Sequence, residues 1–492
     1  MKGLELESTA SGTPAIMPAR LKQRTISSSI WTIGAFGFQQ VFRLGSNVVL
    51  SHLLFPEAFG LMALANVFLY ALNMMSDFGV RAVIVQSYSG DERAFLDTAW
   101  TVQAIRGVVL FTIAVLLAQP YGGFYGNTLL APIVTAISVV LLLDGFQSTK
   151  LALLERQVDL SRIMLMNVSC QVIGIAVMIG WAVTSPTTWA LAAGVVVERL
   201  VKLVLSHLIR RGPRDRLQWN GEYARQILSF GRWILVSSFI TALAARLDLL
   251  LLGKLLPIEV LGVYNIALML ASMPSVIGAQ VASAVIYPAL SELARKSPER
   301  MNEVLLSARS VMLYATGFLV IGVTALGPTF FQILYDTRYQ GAGRMCQLLM
   351  ITIWFSLMGL SADRVLPAMG DPRSLSILNG WRMFANGGGA LTGYSVAGVE
   401  GFIIGLGVGG MLGQFVLWTR LQRHGIEIVG QDVRYSLALG IAALIAVLGR
   451  TPFGHLVGLD PASVVCSLVW ASVVLLPTGA HAAIRAYGAI LR

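Results

Sequence analysis

Four arginines stand inside long apolar runs, and their chemistry is the first question this sequence poses. Arg43, Arg106, Arg246 and Arg382 each lie several residues from the nearest polar segment. An arginine at mid-helix in a bilayer costs about 2.5–3.5 kcal/mol even on lenient insertion scales. Held there, a guanidinium stays charged and offers a planar fork of donors that suits phosphate or carboxylate oxygens. Arg43 has polar company: Gln39, Arg43 and Asn47 recur at i, i+4 and i+8, with Gln40 alongside, so one helix face is polar and looks onto protein or water. Arg246 has Asp248 two residues on, but two residues rotate a helix by about 200°, so the two cannot pair within one helix. Arg246 therefore finds a partner elsewhere or is left for an anionic ligand. On these grounds Arg43, Arg246, Arg106 and Arg382, with Gln39 and Asn47, are candidate substrate-binding residues of a cationic cavity, and Asp248 and Glu198 are candidate ion-coupling sites. Glu198 and Lys202 are also spaced to form an i,i+4 salt bridge. Arg232 and Arg309 stand close enough to a cytoplasmic helix end to snorkel to the headgroups.

Several other chemistries find no support. There is no GxxxxGK[ST], the phosphate-cradling loop of many ATP-dependent proteins. Gly405, Gly407 and Gly410 spell GxGxxG, but inside an apolar span and not after a strand. Gly405, Gly409 and Gly413 recur at every fourth position, the pattern of close helix packing. Asn167-Val168-Ser169 matches a glycosylation sequon but falls in a predicted span. Cys170, Cys346 and Cys466 are far apart in apolar segments, with no metal-ligand spacing. No catalytic residue, metal or cofactor is expected, and the chain reads as a non-enzyme.

These residues need elements to hold them. With 492 residues, a mean hydropathy of +0.72 and only 12% charged residues, the chain falls well short of the roughly 25% charge of soluble domains. Apolar stretches of about 20 residues recur, each long enough to cross a bilayer core of about 30 Å as a helix. Lipid forces backbone groups to bond internally, so the expected fold is an all-α polytopic bundle. About fourteen transmembrane helices are predicted: 26–50, 58–80, 98–118, 129–146, 163–183 and 187–209 in the first half, then 227–251, 260–287, 304–326, 345–366, 374–397, 399–420, 434–449 and 462–487. The loops on one side, with both termini, hold 24 of the 36 lysines and arginines, and those on the other side hold four. That asymmetry predicts cytoplasmic termini. It also accounts for the net charge of +11 without nucleic acid.

The arrangement predicts a cytoplasmic tail over 1–25, an N-lobe of helices 1–6 over 26–209, a basic linker over 210–226, a C-lobe of helices 7–12 over 227–420, and helices 13–14 with the C-terminus over 421–492. Within the lobes, Leu53, Leu54, Glu57, Gly60 and Ala65 recur as Leu255, Leu256, Glu259, Gly262 and Ala267, 202 positions later. Because six helices separate the copies, this is a parallel duplication about an axis along the membrane normal. Arg81–Asp97 and Gln147–Arg162 are expected to form short amphipathic helices at the interface. Gly327–Gly343 is expected to be the longest outer loop before the last helix pair. Asp77 is expected at the interface, and Pro274, Pro288 and the Gly387–Gly389 run are possible bending points.

At these motifs a family resemblance becomes visible. LLFPEAFGLMALANVFLYALNMMSDFGVRAVIVQ (53–86) resembles the first outer turn and second helix of bacterial polysaccharide-biosynthesis flippases, and LLPIEVLGVYNIA (255–267) resembles their second-half counterpart. ALLERQVDLSR (152–162) and LPAMGDPRSLSILNGWRMFAN (366–386) are similar to their cytoplasmic loops. The resemblance implies the multidrug/oligosaccharidyl-lipid/polysaccharide exporter fold, two pseudo-symmetric six-helix lobes around a cationic central cavity plus two C-terminal helices. It further implies alternating-access translocation of undecaprenyl-diphosphate-linked oligosaccharide across the bacterial inner membrane, for exopolysaccharide, capsule or O-antigen (lipopolysaccharide) synthesis. The implied partners are that lipid-linked substrate, membrane lipids, and a polymerase with other polysaccharide-assembly proteins. Two alternatives stay open at this point: a multidrug antiporter of the same fold, and a membrane glycan polymerase or ligase.

Overall fold

The computed structural model describes residues 19–475 except 77–79, 88, 158, 210–211, 229–243, 245, 283–300, 364, 370 and 461–462. Asp77, Arg232 and Pro288 lie outside the described residues. Within them the chain is helical throughout, with no strand. Among the described residues, eight helices are long and apolar enough to cross a membrane, or nine if the bent pair Leu130–Gly145 and Lys150–Arg156 forms one span.

The helices of the first half are α1 (Ala19–Leu53), α2 (Pro56–Met75), α3 (Val80–Gln86), α4 (Arg93–Tyr125), α5 (Leu130–Gly145), α6 (Lys150–Arg156), α7 (Leu160–Thr184) and α8 (Thr188–Leu208). The second half has α9 (Leu247–Leu255), α10 (Ile258–Ala271), α11 (Met273–Val281), α12 (Met301–Leu334), α13 (Gly341–Ala362), α14 (Pro372–Gln422) and α15 (Val429–Leu448). The apolar helix α16 (Val464–Leu475) closes the described chain.

Apolar windows find the part of a helix that sits in hydrocarbon, and several helices continue past it. α1 begins at Ala19, seven residues before the expected Ile26. α4 has 33 residues and α12 has 34, each about 50 Å long and well beyond a bilayer core. α12 runs through Pro328 to Leu334, so the expected outer loop 327–343 shrinks to the short 3-10 turn Thr337–Tyr339 and its flanks. The expected boundary at residue 398 is real: α14 breaks at Ala397 and at Gly398, whose φ of 57° and ψ of −135° suit glycine. Its two halves fold against each other through Gly389, Gly405 and Gly409. Pro274 likewise separates α10 from α11.

The duplicated turns meet each other. α2 and α10 cross so closely that a methyl group on Gly60 would collide with the Ile258 carbonyl, and one on Gly262 with the Pro56 carbonyl. Polar contacts extend this seam at the same end of the bundle. The Tyr339 hydroxyl donates to Leu54 O at 2.9 Å, Tyr125 to Leu250 O at 3.2 Å, and Lys254 Nζ to Phe124 O at 2.6 Å. Arg338 lies 4.5 Å from the Phe55 ring centre and is oriented by Asp336 at 2.8 Å.

At the other end, α3 and α6 form where short amphipathic helices were expected, but they pack into a core of their own. Val83 and Ile84 meet Leu153, Phe95 and Ile227. Arg156 ties the two helices together, donating to Ile84 O at 2.9 Å and pairing with Asp91 at 2.9 Å.

Candidate functional site

Arg43 sits on α1 about 15 Å from the end of the helix at Leu53, a distance close to half a bilayer core. Its carbonyl accepts hydrogen bonds from Ser46 Oγ at 2.8 Å and Asn47 Nδ2 at 2.6 Å. Asn47 is thereby folded back onto its own helix. The Gln39 carbonyl accepts from Gln171 Nε2 at 3.1 Å, which fixes α1 against α7. Of the polar stripe, Gln39 thus meets α7 through its backbone carbonyl, Asn47 bonds its own helix, and Arg43 presents its cation.

Arg246 occupies a different setting from the one its sequence suggests. It is the N-cap residue of α9, with φ −128° and ψ 14°, so the span breaks here and the same-helix geometry assumed for Arg246 and Asp248 does not apply. The guanidinium stands 5.5 Å from the Tyr70 ring centre, a cation–π contact that leaves its N–H groups available. Arg43 and Arg246 lie within electrostatic range of each other. Both are exposed to space not filled by protein, and among the described residues neither guanidinium has an ion pair. Asp248 joins the same locality: it accepts a 2.7 Å hydrogen bond from the fully buried Tyr264 and lies within range of Arg246.

The remaining candidates are placed elsewhere. Arg106 caps the end of α2, donating to Asn73 O at 2.9 Å, to Asn73 Oδ1 and to Ser76 Oγ at 3.0 Å. Arg382 pairs with Asp363 at 2.6 Å, with Gly359 and Gly413 making room for it. Glu198 packs its Cβ toward Gly174 on α7, and no ion pair joins it to Lys202 among the described residues. Lys202 and Arg199 lie instead within range of Asp144 at the end of α5.

Arg309 does not snorkel. It is fully buried and paired with the equally buried Asp432, donating also to Gln431 Oε1 at 3.1 Å and Met358 O at 2.8 Å. Trp418 Nε1 donates to the other Asp432 oxygen at 2.7 Å. Sequence reading missed Tyr70, Tyr264, Asp144 and Asp432. The last carried a usable signal, an acid at the entrance of an apolar span.

Two cations near mid-bilayer, an aromatic face and a carboxylate held by a phenol can bind a multiply charged anion by charge-assisted hydrogen bonds.

Comparison with known proteins is consistent with this picture. The family described as polysaccharide biosynthesis protein matches residues 49–343. The chain is 22% identical over 332 residues to the lipopolysaccharide biosynthesis protein WzxC of Escherichia coli K12, covering 67% of each. It is 20% identical over 342 residues to the succinoglycan biosynthesis transport protein ExoT of Rhizobium meliloti 1021, covering 68% of each. Among solved structures, the lipid II flippase MurJ in an inward closed conformation superposes with a TM-score of 0.71 at 11% identity, over 94% of this chain and 100% of that one. An inward-facing multidrug resistance MATE family transporter gives 0.63 at 16% identity, over 78% and 94%. The fold is therefore that of a polytopic all-α membrane protein.

Proposed function

The chain belongs to the polysaccharide biosynthesis protein family, and on that premise we propose that it translocates undecaprenyl-diphosphate-linked oligosaccharides across the bacterial inner membrane by alternating access. The observation that carries this reading is the proximity of Arg43 to Arg246, one from each predicted lobe, near mid-bilayer and with neither guanidinium in an ion pair among the described residues. A diphosphate cannot cross hydrocarbon with its charges bare, and two guanidiniums can hold it on opposite sides. The seam at Gly60 and Gly262 closes the outer end, so substrate enters from the cytoplasmic side. Rocking of one lobe against the other then moves the access. Asp248, next to Arg246, is the candidate coupling residue. Arg106 and Arg382, already held by local partners, serve the scaffold. Both termini lie in the cytoplasm, where the basic loops face, and the product is passed to a polymerase on the outer side.

The reading is tested by expressing variants in a strain whose own flippase is deleted and measuring surface polysaccharide. Loss of a hydrogen-bonding cation costs tenfold or more in binding, at about 1.5–3 kcal/mol per charged contact. Arg43→Ala and Arg246→Ala are therefore expected to reduce export at least that far, while Arg→Lys at either site keeps part of it. Normal export by both alanine variants at normal expression would refute the cationic site. Resistance to cationic drugs without any restored polysaccharide would favour the multidrug antiporter instead.

A further inference from the structure

A second cavity system lies between α12 and α15, apart from the central arginines. Its polar part, 780 Å³, is lined by residues that include Ser307, Ser310, Glu427, Gln431 and Arg434. Its apolar part, 390 Å³, is walled by Leu313, Phe318, Ile321, Trp354, Leu439 and Ala442 among others. Tyr314, Tyr435 and Ala438 line both, and the two tyrosine rings meet edge-on with centres 4.8 Å apart. Between Ser307 and Ile321 α12 rises about 21 Å, so polarity falls from one end of this groove to the other over the length of an acyl chain. The polar end is the one that the lysine and arginine distribution assigns to the cytoplasm.

Charge at the polar end is matched to a dipolar headgroup. Glu427 and Arg434 both line it, yet no ion pair joins them to each other or to any described residue. Arg434 Nε donates only to Gly430 O of its own helix, at 3.1 Å. Glu427 is held through its backbone amide, which donates to Asn302 Oδ1 at 3.3 Å. Gln431 forms the back wall, donating to Leu306 O at 2.9 Å and Ser310 Oγ at 2.7 Å. Its oxygen bonds Arg309, so the groove rests directly on the buried pair that docks α15.

We propose that this groove binds one zwitterionic aminophospholipid of the cytoplasmic leaflet. Its phosphate pairs with Arg434 and its ammonium with Glu427, and one acyl chain passes Tyr314 and Tyr435 into the apolar part. The inference is independent of the transported substrate, and its test reads lipid binding alone. Delipidated full-length protein is titrated with phosphatidylethanolamine or phosphatidylglycerol of equal chain length, and bound lipid is counted by native mass spectrometry. Phosphatidylethanolamine is expected to bind about tenfold better, one charge-assisted contact being worth that much. At these exposed positions, Glu427→Gln is expected to remove the preference, and Arg434→Gln to weaken both lipids alike by about tenfold. Ala438→Trp, checked for monodisperse elution, is expected to remove the bound lipid by filling the throat. Equal binding of the two lipids, a preference for phosphatidylglycerol, an unchanged preference in Glu427→Gln, or undiminished binding in Arg434→Gln overturns the proposal and leaves only bulk solvation by lipid.

Discussion

Arg309 and Asp432 show how much a single residue's environment can outweigh its position in the sequence. From spacing alone Arg309 belongs near a helix end, where a long side chain reaches water. In the folded protein both side chains are fully excluded from solvent, and the pair is completed by Gln431, Met358 O and Trp418. Removing one partner of such a pair strands a buried charge, at a cost of about 3–5 kcal/mol. Asp432→Asn or Arg309→Met should therefore lower the thermal unfolding midpoint of the detergent-solubilised protein clearly. The combined Arg309→Met, Asp432→Leu variant should recover most of the loss, because no ion is then left unpaired. A midpoint unchanged in either single variant would show that water reaches the pair. Contacts of this kind were not legible in the sequence, since no local spacing links residues from two such distant helices. Arg43 was legible, because its neighbours at i−4 and i+4 marked the face.

Among the elements, the recurring turn proves to be more than a marker of duplication. Its two glycines are where α2 and α10 touch, so each copy needs glycine because the other copy's carbonyl occupies the place of a side chain. Gly60→Val or Gly262→Val should force the seam open. In a protein carrying Phe55→Cys, this should appear as faster outer-side thiol labelling and lower export. Unchanged labelling would mean that the polar contacts of Tyr339, Tyr125 and Lys254 close the seam by themselves. The Asp336–Arg338 brace also has a pH sense. Hydrogen bonds from the Arg338 side chain and amide draw the Asp336 carboxyl down to about 2. A carboxyl lowered by folding stabilises above its ordinary value near 3.9, and that support fades as pH falls toward about 2. Labelling normalised at each pH to that of a freely exposed reference thiol should therefore stay flat from pH 8 to pH 5, whereas Asp336→Asn should raise it modestly at every pH.

At the scale of the whole molecule, the existence and class of the spans were written in the apolar runs, and so was the break at Gly398. The reach of the helices into water was not, because residues 93–97 of α4, with Arg93 and Asp97, fall outside the apolar window that begins at 98. That projecting turn has a structural purpose. The basic linker, expected as a tether between lobes, runs extended along it as a strap. Arg216 N donates to Asp97 at 3.0 Å, Gln218 N to Thr101 Oγ1 at 3.0 Å, and Asn220 N to Thr98 Oγ1 at 3.3 Å. Asp215 receives Ser148 Oγ at 2.5 Å and Thr149 Oγ1, and Lys150 Nζ donates to Ile209 O at 2.8 Å. Asp97 is almost fully buried, so peeling the strap away would leave a buried carboxylate short of a donor.

From these contacts we infer that the strap moves with the predicted first lobe, with the hinge of any rocking motion beyond Asn220. Spin labels offer a direct check of this division. A pair at Arg93→Cys and Arg214→Cys reports the strap against α4, and a pair at Arg214→Cys and Gln422→Cys reports it against the second lobe, all three native side chains being solvent-exposed. In a background with Cys170, Cys346 and Cys466 replaced, the first distance should stay constant between inward- and outward-facing preparations, while the second changes by several ångströms. Thr101→Val combined with Asp215→Ala should broaden the first distribution and hasten tryptic cleavage after Arg214 and Arg216. If the first distance shifts as much as the second in the intact protein, the linker is a free tether after all, and the hinge has to be sought before Gly212.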